Sequence, residues 1–90
     1  MLPEDYHQIE STIRAVLRDV LGLSEARVAA FHTETPLFGA LPELDSMAVA
    51  GLLTEIEERL AILIEDDEVD GEMLENFGSL VRFAAAKAPR

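Results

Sequence analysis

Few residues in this chain could do chemistry, and the most pointed group is Leu44-Asp45-Ser46-Met47. It sets a hydroxyl between an acid and an apolar residue, where an amphipathic pattern begins. A serine at a helix start lies beside free backbone N–H groups and the positive end of the helix dipole. Two readings follow. Asp45 or Ser46 caps the helix, as both residue types commonly do. Alternatively, the Ser46 hydroxyl is a point of attachment for a phosphate-bearing group, which the same field favours. Neither His7 nor His32 lies near Ser46 in sequence, so a serine–histidine hydrolase has no support. His7 reads as a solvated helix residue and His32 as a loop residue.

The acidic run invites a calcium reading. Asp66, Glu68, Asp70 and Gly71 match positions one, three, five and six of an EF-hand loop, and Met73 suits the apolar eighth. The twelfth position needs a bidentate glutamate and holds Phe77, so a solvated acidic turn is the better reading and no metal site is assigned. The chain has no cysteine, which removes disulfides, thiolate metal sites and thiol nucleophiles and suits a reducing, cytoplasmic setting.

The elements that must position Ser46 are helical. Tyr6, Ile9, Ile13, Val16, Leu17, Val20 and Leu21 recur at spacings of three and four, predicting a helix over 4–21 that stops at Gly22. Residues 23–44 form a long connection broken by Pro36, Gly39 and Pro42, with Val28 and Phe31 packed inward. A loop of that length is often functional, and Leu37, Phe38 and Leu41 would tie it over the core. A second helix runs over 46–60, with Val49, Leu52, Leu53, Ile56 and Leu60 inward. A short third helix is expected around Gly71–Asn76. Ser79 then caps a fourth helix through about Lys87, with Leu80, Phe83 and Ala84 inward, and Ala88-Pro89-Arg90 is a ragged tail. Ninety residues make a single domain over 1–90, ordered over about 4–87, with an all-α fold. The N-terminus lacks a basic stretch followed by an apolar one and does not read as a secretory signal. The longest apolar or glycine run, Met47 to Leu53, is too short to span a bilayer.

Charge is segregated. Twelve of the 18 acids lie between Glu43 and Glu75, opposed only by Arg59, so this window carries the whole net charge of −11. Nucleic acid and anionic membrane are poor partners for such a surface. A basic protein surface is a good one.

Pro36-Leu37-Phe38-Gly39, Leu44-Asp45-Ser46-Met47, Leu52-Leu53, Ile56-Glu57-Glu58, Ile62-Leu63-Ile64 and Phe77-Gly78-Ser79-Leu80, in that order, resemble an acyl carrier protein over essentially the whole chain. The resemblance implies a four-helix bundle with a long loop between helices 1 and 2 and a short third helix. It implies that Ser46 receives 4′-phosphopantetheine from coenzyme A and that the arm's thiol carries an acyl or aminoacyl group as a thioester. The chain itself would be non-catalytic and monomeric. Its partners would be a phosphopantetheinyl transferase and acyl-loading and acyl-accepting enzymes with basic docking surfaces. Asp45 would shape the motif, and Met47, Ala48, Gly51, Glu55, Glu57 and Glu58 would dock partners. Phe38, Val49, Leu52, Leu53, Ile56, Leu60, Phe77 and Leu80 would line the core or an acyl-holding cavity.

The chain departs from the family pattern at Ala48 and Gly51, where fatty-acid-synthesis carriers usually place acids. That favours a specialised pathway over housekeeping fatty acid synthesis. The stretch Gly39 to Val49 is most similar to carriers associated with exosortase and exopolysaccharide systems. The alternative, from a different class, is an unmodified acidic helical adaptor that binds a basic protein.

Overall fold

The computed structural model describes residues 3–88. Helix α1 spans Pro3–Leu21, α2 Glu25–Ala29, α3 Ser46–Leu60 and α4 Phe77–Lys87, with a 3-10 turn at Asp66–Glu68. The fold is the all-α, four-helix arrangement that the resemblance implies.

Helix α1 is the spine. Its apolar stripe buries Ile9, Ile13, Val16, Leu17 and Leu21 against α3 first, and also against α4 and α2. Gly22 ends it at φ +69°, a left-handed conformation that suits glycine. Opposite α1, α3 buries Leu52 and Ile56 completely, and α4 buries Phe77, Leu80, Val81 and Ala84. Truncating one of these large side chains to alanine costs about 2–5 kcal/mol. Ion pairs reinforce the α1–α3 seam. Asp19 accepts from Arg18 Nε and Arg59 Nη2, each at 2.8 Å, and Arg59 Nε also donates to Glu55 at 2.9 Å. These contacts, from Arg18 first and then Arg59, pull the Asp19 carboxyl from its ordinary 3.8 down to about 2.

The structure corrects several local expectations. The connection over 23–44 is not all loop. Ser24 accepts the Arg27 N–H at 3.1 Å and starts α2, whose Val28 is buried. The stretch around Gly71–Asn76 forms turns rather than a helix, and the short helical turn lies earlier, at Asp66–Glu68. The cause is tertiary. Thr33 to Phe38 pairs with Leu74 to Gly78 through Leu37 N–H to Glu75 O at 3.1 Å, Phe38 N–H to Leu74 O at 3.0 Å, Phe77 N–H to Thr35 O at 2.8 Å and Gly78 N–H to Thr33 O at 2.8 Å. That pairing holds Asn76 in extended backbone, at φ −148° and ψ 174°, which a helix through it could not adopt.

Helix α4 begins at Phe77, capped by Asn76. Ser79 is the reciprocal partner of that cap: its N–H donates to Asn76 Oδ1 at 2.7 Å and its Oγ accepts the Asn76 N–H at 3.1 Å. Phe83 is half-buried and packs against the core rather than within it. Phe38 is half exposed, whereas Leu37 and Leu41 are buried as expected. The expected tail at Ala88–Arg90 falls, beyond Ala88, outside the described residues.

Candidate carrier site at the start of α3

Ser46 is the first residue of α3, and it is exposed. Asp45 precedes it in extended backbone, at φ −95° and ψ −178°, and its Oδ1 accepts the Ala48 N–H at 2.8 Å. The cap is therefore Asp45. Ser46 is left with its hydroxyl free of that duty and set in the positive field of a 15-residue helix. The other serines are placed differently. Ser24 Oγ caps α2, Ser79 Oγ is bound up in the α4 cap, and Ser11 lies in the middle of α1, away from either end.

The approach to Asp45 is fixed from α2. Arg27 Nη1 donates to Glu43 at 2.6 Å and holds the Glu43 carboxyl below its ordinary range, with a backbone hydrogen bond adding to the effect. Leu41 and Leu44 are buried on either side. The chain thus enters α3 along one path.

Beside Ser46 opens a cleft of about 290 Å³, walled by Phe38, Val49, Val69, Gly71 and Leu74, with Asp70 also lining it. Phe38 stands there because its N–H is tied to the Leu74 carbonyl. The close approach of this segment to α4 needs a glycine. A Cβ on Gly78 would lie 2.4 Å from Thr33 Cγ2 and 2.7 Å from its carbonyl oxygen. Val69 and Leu74 do not stand out in the sequence as site residues, and Gly71 does so only within the calcium-loop reading. Their signal is there, in apolar and glycine interruptions of an otherwise acidic run.

The expected docking residues fall into three groups. Met47 is 86% exposed and stands next to Ser46. Ala48 is half-buried, and Gly51 faces out, where a Cβ would meet only Val20 Cγ1 at an ordinary 3.7 Å. Among the acids, Glu55 is held by Arg59, Glu57 Oε2 accepts the Ile64 N–H at 2.8 Å, and Glu58 is exposed. Leu52, Ile56, Phe77 and Leu80 belong to the packed core rather than to the cleft. Val49 reaches both.

The acidic run does not gather its carboxylates. Glu68 Oε1 accepts from Lys87 Nζ at 2.7 Å and from the Glu65 N–H at 2.9 Å, while Asp70 Oδ1 accepts the Met73 N–H at 3.0 Å. No cluster of three or more histidine, aspartate or glutamate ligands forms among the described residues. His7 and His32 are exposed and far in sequence from Ser46. No described helix is long and apolar enough to cross a membrane.

These residues fit a phosphate ester with a flexible arm. The hydroxyl is accessible, the local field favours the anion, and an apolar cleft adjoins it. Residues 11–84 match the phosphopantetheine attachment site family. The fold is similar to the solution NMR structure of a holo acyl carrier protein from Nitrosomonas europaea, with a TM-score of 0.78 and 38% identity, covering 87% of this chain and 92% of that one. No curated protein matches significantly. The chain therefore belongs to the phosphopantetheine attachment family, as an acyl-carrier-like domain whose cofactor is covalently bound 4′-phosphopantetheine.

Proposed function

We propose that Ser46 is the attachment point and that the protein carries an acyl or aminoacyl group to partner enzymes. The observation that carries this reading is the division of labour at the start of α3. Asp45 satisfies the helix end, and the adjacent Ser46 Oγ is left exposed as a nucleophile. In the modification, an Oγ–phosphorus bond forms as the pyrophosphate bond of coenzyme A breaks, and adenosine 3′,5′-bisphosphate leaves. The hydroxyl proton passes to a base of the transferase, which also brings the metal. The positive end of the α3 dipole beside Ser46 would favour the phosphodiester once attached. When bound, the arm supplies a terminal thiol that this cysteine-free chain lacks, and that thiol holds the cargo as a thioester. The protein positions and presents the arm and performs no bond cleavage of its own.

The setting we infer is a specialised cytoplasmic pathway rather than housekeeping fatty acid synthesis. Support comes from the neutral Ala48 and Gly51. The similarity of Gly39 to Val49 to carriers of exosortase and exopolysaccharide systems favours that subtype. Incubation with coenzyme A, Mg²⁺ and a broad-specificity phosphopantetheinyl transferase is expected to add one phosphopantetheinyl group to wild type and none to Ser46→Ala, read by intact mass. Addition to Ser46→Ala, or none to wild type, would sink the assignment. An unmodified adaptor would instead bind a basic partner equally well with either residue.

A further inference from the structure

We infer that Met47 is an oxidation site, and that its conversion to the sulfoxide by a peroxide turns down the modification of Ser46 while leaving the fold in place. This rests on Ser46 being the attachment point.

Sulfur is scarce in this chain and unevenly placed. There is no cysteine, and the methionines are Met1, Met47 and Met73. Met73 is 4% exposed and belongs to the core, whereas Met47 is 86% exposed and stands outside it. An oxidant in solvent therefore reaches the Met47 sulfur and is kept from that of Met73. Met1 lies outside the described residues. In the reaction a sulfur lone pair attacks one oxygen of hydrogen peroxide. A sulfur–oxygen bond forms, the oxygen–oxygen bond breaks and water leaves. The thioether loses two electrons and becomes a sulfoxide, and the peroxide is reduced. A flexible apolar side chain has then become a polar, chiral one.

Its place in the fold ties that change to the attachment point. The exposed large apolar side chains among the described residues are Phe38, Met47 and Leu63. Leu63 lies beyond the far end of α3 from Ser46. Phe38 walls the cleft that Ser46 lines, and Met47 follows Ser46 in the first turn. Farther along the outward face of α3 come Ala50, Gly51 and Thr54, with little apolar surface to offer. An enzyme that reaches the Ser46 hydroxyl must close over Met47. The thioether is a soft, adaptable contact of the kind interfaces favour. A sulfoxide has to shed bound water to enter the same contact. The helix start does not depend on Met47, because Asp45 holds the Ala48 N–H, so oxidation alters the surface and spares the structure.

The test uses the full chain before modification, which has no thiol to react. Wild type, M47L and M47Q are treated with hydrogen peroxide, the peroxide is destroyed with catalase, and each becomes the substrate of a broad-specificity phosphopantetheinyl transferase with coenzyme A and Mg²⁺. Peptide mass spectra are expected to show Met47 oxidised roughly tenfold or more faster than Met73. Oxidised wild type should have a KM raised roughly fivefold to tenfold, with kcat changed less, as expected on weakening a central apolar contact. M47Q, polar without oxidant, should resemble it. M47L should be unaffected by peroxide although it keeps Met1 and Met73. Treatment with the two methionine sulfoxide reductases, one for each epimer, should restore wild type. Amide NMR spectra check that the oxidised chain stays folded. Equal oxidation of Met73, an unchanged KM after Met47 is oxidised, or an equal loss in M47L overturns the switch and leaves Ser46 intact. Failure of untreated wild type to accept the group overturns the attachment reading and the switch with it.

Discussion

Asp45 and Ser46 are adjacent, and both types cap helices, so residue identity alone leaves the cap open between them. Backbone geometry separates them: Asp45 is extended and outside the helix, Ser46 is already inside it. The consequence is testable in stability. Asp45→Ala removes the acceptor for the Ala48 N–H and should cost about 1 kcal/mol in urea unfolding, while Asp45→Asn should cost little. Ser46→Ala should leave stability nearly unchanged, because its hydroxyl does not cap. The proposed attachment residue is therefore singled out in the sequence, whereas the cap is narrowed only to two. Phe38 departs from its expected place over the core, since being large and apolar does not dictate burial. Its neighbour Leu37 takes the core position, and Phe38 is turned to the cleft by its backbone bond to Leu74.

Among the elements, the long periodic ones are readable and the short ones are not. Helices α1 and α3 carry several turns of apolar spacing. Helix α2 has five residues and too few turns to declare a period. The stretch at 71–76 looks helical locally, but pairing of Thr35 and Pro36 with Asn76 and Phe77 holds Asn76 extended. Two glycines give opposite predictions at this scale. Gly51→Ala meets only ordinary contact on an exposed helix face and should raise stability by about 1 kcal/mol. Gly78→Ala forces a methyl against Thr33 and should lower stability by about 1–3 kcal/mol while perturbing amide signals around Phe38 and Leu74. Thermal unfolding of the two variants side by side checks both.

Across the whole molecule, the charge segregation visible in the sequence becomes a division between a paired side and an unpaired one. The paired side joins α1 to α3 through Asp19, whose carboxyl sits at about 2 rather than 3.8 because Arg18 and Arg59 favour its ionised form. A depressed carboxyl stabilises the fold above its unfolded value, and that contribution is lost as pH falls through its folded value. Urea midpoints of wild type should therefore fall between about pH 4 and about pH 2, and Asp19→Asn should flatten that limb. Glu68, lowered by Lys87 and the Glu65 N–H, adds loss in the same direction below its ordinary 4.5. The sequence does not reveal which acids are paired, because Asp19 and Arg59, 40 residues apart, meet only through the packing of α1 on α3. In the proposed reading, this arrangement presents one hydroxyl, that of Ser46, beside an apolar cleft. The most direct test is the mass of the protein isolated from its native cell, followed by fragmentation. A single phosphopantetheinyl group localised to Ser46 is the predicted result. The group on Ser11, Ser24 or Ser79, or no group on any molecule, would contradict it.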